Sequence, residues 1–433
     1  NPLVNDDDIL LHLIPFIAET EGYLFVAGVA KCWHEAWGAR PRMTDVSNVA
    51  ESATRLAWAK DTAGWKWDAT VCERSAAGGH LGALRYARSE QCSWDEKTCA
   101  QAAGSGHLAL LRWARENGCP WDATTCAFAA GAGELDMLRY ARRAGCPWDA
   151  TTCSEAAGAG ELEVLKWARK YECPWDEDTC KQAARSGHLD VLRWARENEC
   201  PWDPMCCTWA AGGGNLDVLR WARANGCPWD EGTCAAAARE GHLDVLQWAR
   251  AQGCEWDTST CTAAIHEGHL EVLKWARAHG CPWDSGSSQF AAIQGDLEML
   301  KWCKANGGHL DEAVCANAAD WGHLEVLAWA RENGCPWNEK VFAVAAGGGH
   351  LDVLEYCWKH GCPWNEFTSK LAAEAGHLEV LKWCRERDCP WDEDVCAFAA
   401  MEGHMEVLKW ALENGCPWDK RVRDYIVASG ACG

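Results

Sequence analysis

The chain has 433 residues, and 41 Lys+Arg stand against 63 Asp+Glu for a formal charge of -22. Its richest apolar stretch, 9–30, is broken by His12, Pro15, Glu19, Glu21 and Gly22, which argues against a membrane span. So acidic a chain repels phosphate backbones and anionic surfaces, so the expectation is no nucleic acid and a protein partner of basic character.

In chain order, two apolar helical patterns come first, over 6–14 and 23–33, in a segment 1–40 that reads as an N-terminal helical cap or as a docking element. Residue 1 is Asn, which is compatible with a removed targeting segment. Over 41–66, the run Leu56-Ala57-Trp58-Ala59-Lys60 reads as a lone second helix, a capping partial repeat.

From 67 to 433 the sequence is periodic. A Trp followed by Asp or Asn returns every 27 residues, from Trp67 and Trp94 through Trp283 to Trp337 and Trp418, and only Leu310 breaks the register. A period in this range marks a solenoid of small units that bury their apolar faces on one another. The expected fold class is therefore all-α, an α-solenoid of stacked helix-turn-helix repeats with the last repeat truncated.

Cys173–Cys200 serves as the type unit. Asp176 lies in a column of Asp and Asn that predicts an N-cap, and Pro204 after Asp203 suits a first helical residue. Helix A runs through Thr179, Cys180, Ala183 and Ala184 and ends at Gly187. His188 belongs to a column that also holds Glu134, Glu161, Asn215 and Asp296, all suited to capping helix B. Leu189, Val191, Leu192, Trp194 and Ala195 give helix B one apolar face, so both Trp columns are expected in the core.

Most of the 28 Cys fall into two repeat columns whose members are elsewhere Ser288, Phe342, Ser369 and Gly308. Obligate disulfide partners would not be replaced so freely, so these read as buried thiols in a reducing compartment, cytoplasmic or nuclear. Cys173 and Cys180 have six residues between them, wider than a zinc knuckle, and His242 and His269 lie a full repeat apart, so no metal site is expected. Gly212-Gly213-Gly214 and Gly347-Gly348-Gly349 fall at helix turns and not after strands, so no phosphate loop, cofactor or catalytic constellation is expected, and the chain is read as no enzyme.

The run Ala183-Ala184, Gly187-His188 and Leu189-Asp190-Val191-Leu192 resembles the ankyrin repeat in every unit from Asp68 to about Gly415. Two features depart from that family: the unit is 27 residues rather than about 33, and Trp194 stands where Leu is usual. The resemblance implies an ankyrin-like stack without the projecting hairpin. Residues 6–37, ending in Lys31-Cys32-Trp33, resemble an F-box but lack its Leu-Pro opening. That likeness implies an adaptor of a ubiquitin ligase as partner.

Recognition is expected where the repeat varies, on the helix A surface that faces the groove in ankyrin repeats. The column immediately before the Ala-Ala pair includes Phe128, Gln182, Trp209, Phe290, Asn317, Val344, Leu371 and Phe398, and Trp321 lies near it. Trp209 and Phe290, with Trp321, are the expected anchors. The sequence thus predicts a protein–protein interaction scaffold; a substrate receptor of a ubiquitin ligase and an architectural subunit are the alternatives. Titration of the denatured chain without reductant should find close to 28 free sulfhydryls; most of them protected as disulfides would overturn the thiol reading.

Overall fold

A computed structural model describes residues 50–54, 56–57, 67–283 and 286–429. Both F-box-like helices therefore lie outside the described residues. Among those described there is helix and no strand, and none of the helices is long and apolar enough to cross a membrane. The chain divides into two compact units, Asn1–Pro228 and Trp229–Gly433.

In the first unit the hairpins are α1 Ala69–Ala77 with α2 Leu81–Ser89, α3 Glu96–Gly104 with α4 Leu108–Glu116, α5 Ala123–Gly131 with α6 Leu135–Arg143, α7 Ala150–Gly158 with α8 Leu162–Lys170, α9 Glu177–Ser186 with α10 Leu189–Glu197, and α11 Pro204–Gly212 with α12 Leu216–Ala224. In the second they are α13 Glu231–Arg239 with α14 Leu243–Ala251, α15 Thr258–His266 with α16 Leu270–Ala278, α17 Ser287–Gln294 with α18 Leu297–Ala305, α19 Glu312–Asp320 with α20 Leu324–Glu332, α21 Glu339–Gly347 with α22 Leu351–Lys359, α23 Glu366–Glu374 with α24 Leu378–Arg385, and α25 Glu393–Met401 with α26 Met405–Glu413; α27 Lys420–Ser429 follows. Within each unit the A helices, odd-numbered, pack directly on one another. A fully buried pair on each A helix from α1 to α25, Ala-Ala except for Ser75-Ala76 and Ala264-Ile265, permits that approach.

The predicted caps form. Asp176 accepts from the Asp178 amide, Asp203 from Met205 behind Pro204, and Asn338 from Lys340. Each cap satisfies an amide of the first helical turn that would otherwise lack a partner.

The His column differs from its expected role. His188, His242 and His350 make no side-chain cap bond to their own helices. The ring reaches back to the preceding hairpin instead: the His350 Nε2 lies 3.0 Å from the Asp320 carbonyl oxygen and the His323 Nε2 3.0 Å from that of Ile293. Asn215 does the same, donating to the carbonyls of Ala184 and Arg185 at 3.1 and 2.6 Å. Only Asp296 caps as expected, accepting from the Met299 amide. The reason is spatial. The ring rests on the turn glycine of the preceding hairpin, so a Cβ on Gly160 would sit 2.7 Å from His188, and Gly160 also has a φ of +80°. Both constraints select glycine there.

The Trp columns also differ from expectation. Trp194, Trp248 and their equivalents are half-buried, not core. Trp175 meets Trp194 edge to face at 5.9 Å, and Trp229 meets Trp248 at 6.0 Å. An Arg covers the outer surface: the Arg196 guanidinium lies 4.3 Å from the Trp202 ring and donates to the Cys200 carbonyl. Arg250 does the same at Trp256 and Cys254. The indoles fill the edge between hairpins, while Val191, Leu192 and Ala195 form the core beneath them.

The described Cys are free and buried. One thiol column donates to the backbone of the preceding hairpin, as Cys200 does to the Asp176 carbonyl at 3.4 Å and Cys335 to that of Asp311 at 3.0 Å. It also meets the other column thiol to thiol, so Cys153 bonded to Cys173 is held far above the ordinary thiol range. Burial, with Asp296 adding, pushes Cys303 up to about 12. Cys153 and Cys303 therefore stay protonated and poorly nucleophilic. Replacements come in sets. Where Phe342 displaces a thiol, Cys357 on α22 takes over as the partner of Cys362. Where Ser369 does, Cys384 on α24 pairs with Cys389. Ser288 faces Gly308, where a Cβ would lie 2.8 Å from its Oγ.

Two expectations for measurement follow from this packing. Thr98, Thr125, Thr152, Thr179, Thr233, Thr260 and Thr368 are fully buried, and none of their hydroxyls has a hydrogen-bond partner. Val71, Val314, Val341 and Val395 occupy the same repeat position, also buried. Thr125→Val should therefore stabilise the chain by about 1 kcal/mol, read by denaturant melts, because an unmade buried hydrogen bond is removed; a loss of stability would reveal a partner for the hydroxyl. At Gly307-Gly308-His309-Leu310 the repeat lacks its Cys, Pro and Trp together. The second unit nonetheless continues through it, and α18 and α20 pack on each other across it. With the thiol-to-carbonyl bond absent and Gly307 at a φ of +92°, amides 305–311 should exchange first within the second unit; uniform hydrogen-exchange protection across 281–337 would contradict this.

Candidate ligand-binding face

The residue before each Ala-Ala pair projects from the A helix beside its buried partners. In the first unit these rungs are Arg74, Gln101, Phe128, Glu155, Gln182 and Trp209. Phe128 is 44% exposed, Gln182 and Trp209 are half-buried, and Glu155 is exposed. Each rung rests on the preceding A helix, three residues after that helix's own rung. There Gly104, Gly131 and Gly158 leave no spare room: an added Cβ would sit 3.1 Å from the Phe128 ring, 3.4 Å from the Glu155 Cβ and 3.2 Å from the Gln182 Cβ.

The consequence is a groove of about 520 Å³ along α3, α5, α7 and α9. Gln101, Phe128, Glu155 and Gln182 form its rungs, the three glycines with Ala132 and Ala159 its floor, and Ser105, Ser154 and Ser186 add hydroxyls. The lining contains one carboxylate and no Lys or Arg. Farther along, the glycine gives way to Arg185, whose guanidinium covers Trp209 at 5.3 Å.

In the second unit the expected rungs are more occupied. Phe290 is half-buried with its ring edge-on to His266 at 6.1 Å. Phe398 lies under the Lys370 ammonium at 4.3 Å. Asn317, Val344 and Leu371 are half-buried, and Leu371 packs 3.4 Å from where a Cβ on Gly347 would be. Trp321 is 59% exposed, but it follows α19 at the turn and is not a rung. Of the anchors expected from sequence, Trp321 is open, whereas Trp209 and Phe290 are partly covered by neighbours; the open aromatic rung is Phe128, which the sequence does not single out as an anchor.

Sequence reasoning overlooked the glycine floor, although Gly104, Gly131, Gly158 and Gly212 repeat on register. It also overlooked Trp358, 48% exposed, which stands where other hairpins carry the Trp-covering Arg. Among the described residues, groups of three or more His, Cys, Asp or Glu arranged to hold a metal ion are absent.

No protein-family model matches the chain, and no curated protein matches it. Among solved structures, it is similar to the pentatricopeptide repeat protein PPR10 in complex with an 18-nucleotide psaJ RNA element, at 13% identity and a TM-score of 0.36, over 98% of this chain and 79% of that one. A cysteine-to-serine form of the same complex gives 13% identity, the same coverages and a TM-score of 0.35. These neighbours are RNA complexes, so the expectation that excluded nucleic acid as a partner, and with it the partner assignment made from net charge, is withdrawn. Charge summed over a whole chain does not describe a local face. The repeat architecture rests on the helices themselves, and the likeness transfers no residue roles.

Proposed function

We propose that the chain is a helical-repeat scaffold, built of ankyrin-type hairpins without fingers, that binds a protein segment along its A-helix face and has no catalytic step. The observation that carries this reading is the first-unit groove. Its frame repeats from hairpin to hairpin, while the rungs change from amide to phenyl to carboxylate to amide. A regular frame with changing, solvent-reaching rungs is how a repeat protein displays a specific surface.

A photo-crosslinking residue placed at 128, and separately at 193 on the outer surface of α10, tests this in the full chain. Protein adducts at 128 that survive nuclease and are absent at 193 support the reading. Against the partner so identified, Phe128→Ala should weaken binding about tenfold or more, as truncated anchors do, and Arg193→Ala should not. Nuclease-sensitive RNA adducts at 128, or equal protein adducts at both positions, would overturn it.

A further inference from the structure

The spacing of the rungs selects a backbone conformation for the ligand. Packed helices lie roughly 8–10 Å apart, which sets the step from one rung to the next. An extended strand advances about 3.3 Å per residue and alternates its faces, so every third residue would present opposite sides to successive rungs. A polyproline II helix advances about 3.1 Å per residue with three residues per turn, so it meets each rung with the same face at about 9.3 Å. Its main-chain amides and carbonyls are free of internal bonds. The groove provides matching groups: the Gln101 and Gln182 amides donate and accept, the Glu155 carboxylate accepts, and Phe128 offers an exposed apolar face. The floor glycines let each rung seat closely on the helix before it, which holds the row of rungs at one regular step. The lining holds one carboxylate and no Lys or Arg, which suits an uncharged main chain.

We propose that the groove over Gln101, Phe128, Glu155 and Gln182 binds a polypeptide in the polyproline II conformation, read every third residue. This rests on the scaffold reading and narrows it to one ligand class. The test is fluorescence polarisation of the full chain with labelled (Pro-Pro-Leu)4, beside a Gly-Ser peptide of equal length and an oligouridine. The expected result is saturable binding of the proline peptide, at least tenfold tighter than either control. Phe128→Ala and Gln182→Ala should each weaken it several-fold, and Arg193→Ala should leave it unchanged, with circular dichroism confirming the fold of each variant. Equal binding of the Gly-Ser peptide, preference for oligouridine, or insensitivity to both groove substitutions would overturn the proposal. If a protein partner crosslinks at 128 yet is not displaced by the proline peptide, the proposal fails while the scaffold reading stands.

Discussion

A hairpin of two nine-residue helices has too little interior to hold itself together, so within each unit the hairpins depend on the grip each takes on the one before it. That grip acts at three places. The His ring, or Asn215, bonds a carbonyl across the A–B turn. A thiol bonds the carbonyl of the preceding capping Asp. An Arg lies over the next leading Trp while bonding the Cys carbonyl between them. Each uses a backbone oxygen as its acceptor, so the contact depends on the backbone path and little on the identity of the residue bonded.

This dependence explains which positions are fixed and which are free. Glycine after the A helix is fixed twice, by its positive φ and by the ring above it. The Ala-Ala pair is fixed by the approach of successive A helices. The rung just before it lies outside every one of these contacts, and its neighbours are only the glycine or larger residue of the hairpin behind it. Variation therefore collects there, and the groove exists where that neighbour is glycine.

Much of this was legible in the sequence, because the period of 27 aligns equivalent residues without any structure. Caps, helix ends, free thiols and the rung column all follow from that alignment. What it could not supply was direction. A His after a turn looks the same whether it caps its own helix or reaches back, and His350 reaches back because the glycine beneath the ring leaves it room. A Trp on an apolar helical face looks buried, yet Trp248 sits at the rim because Leu246 and Ala249 already fill the interior. Likewise, Trp209 and Phe290 read as open anchors until Arg185 and His266 on the preceding A helices are placed against them.

The replacement of thiols in sets bears on how such a chain can change length. Regular contacts recur on one register, so excising a single block of 27 residues inside a uniform stretch rejoins equivalent partners and leaves every seam intact. Seams at Ser288 with Gly308, and at Phe342 with Cys357 and Cys362, do not have that property. A cut between their members would strand a hydroxyl or a bulky ring against the wrong neighbour. Removing or adding a block within the uniform stretches would therefore cost less stability than doing so across a seam.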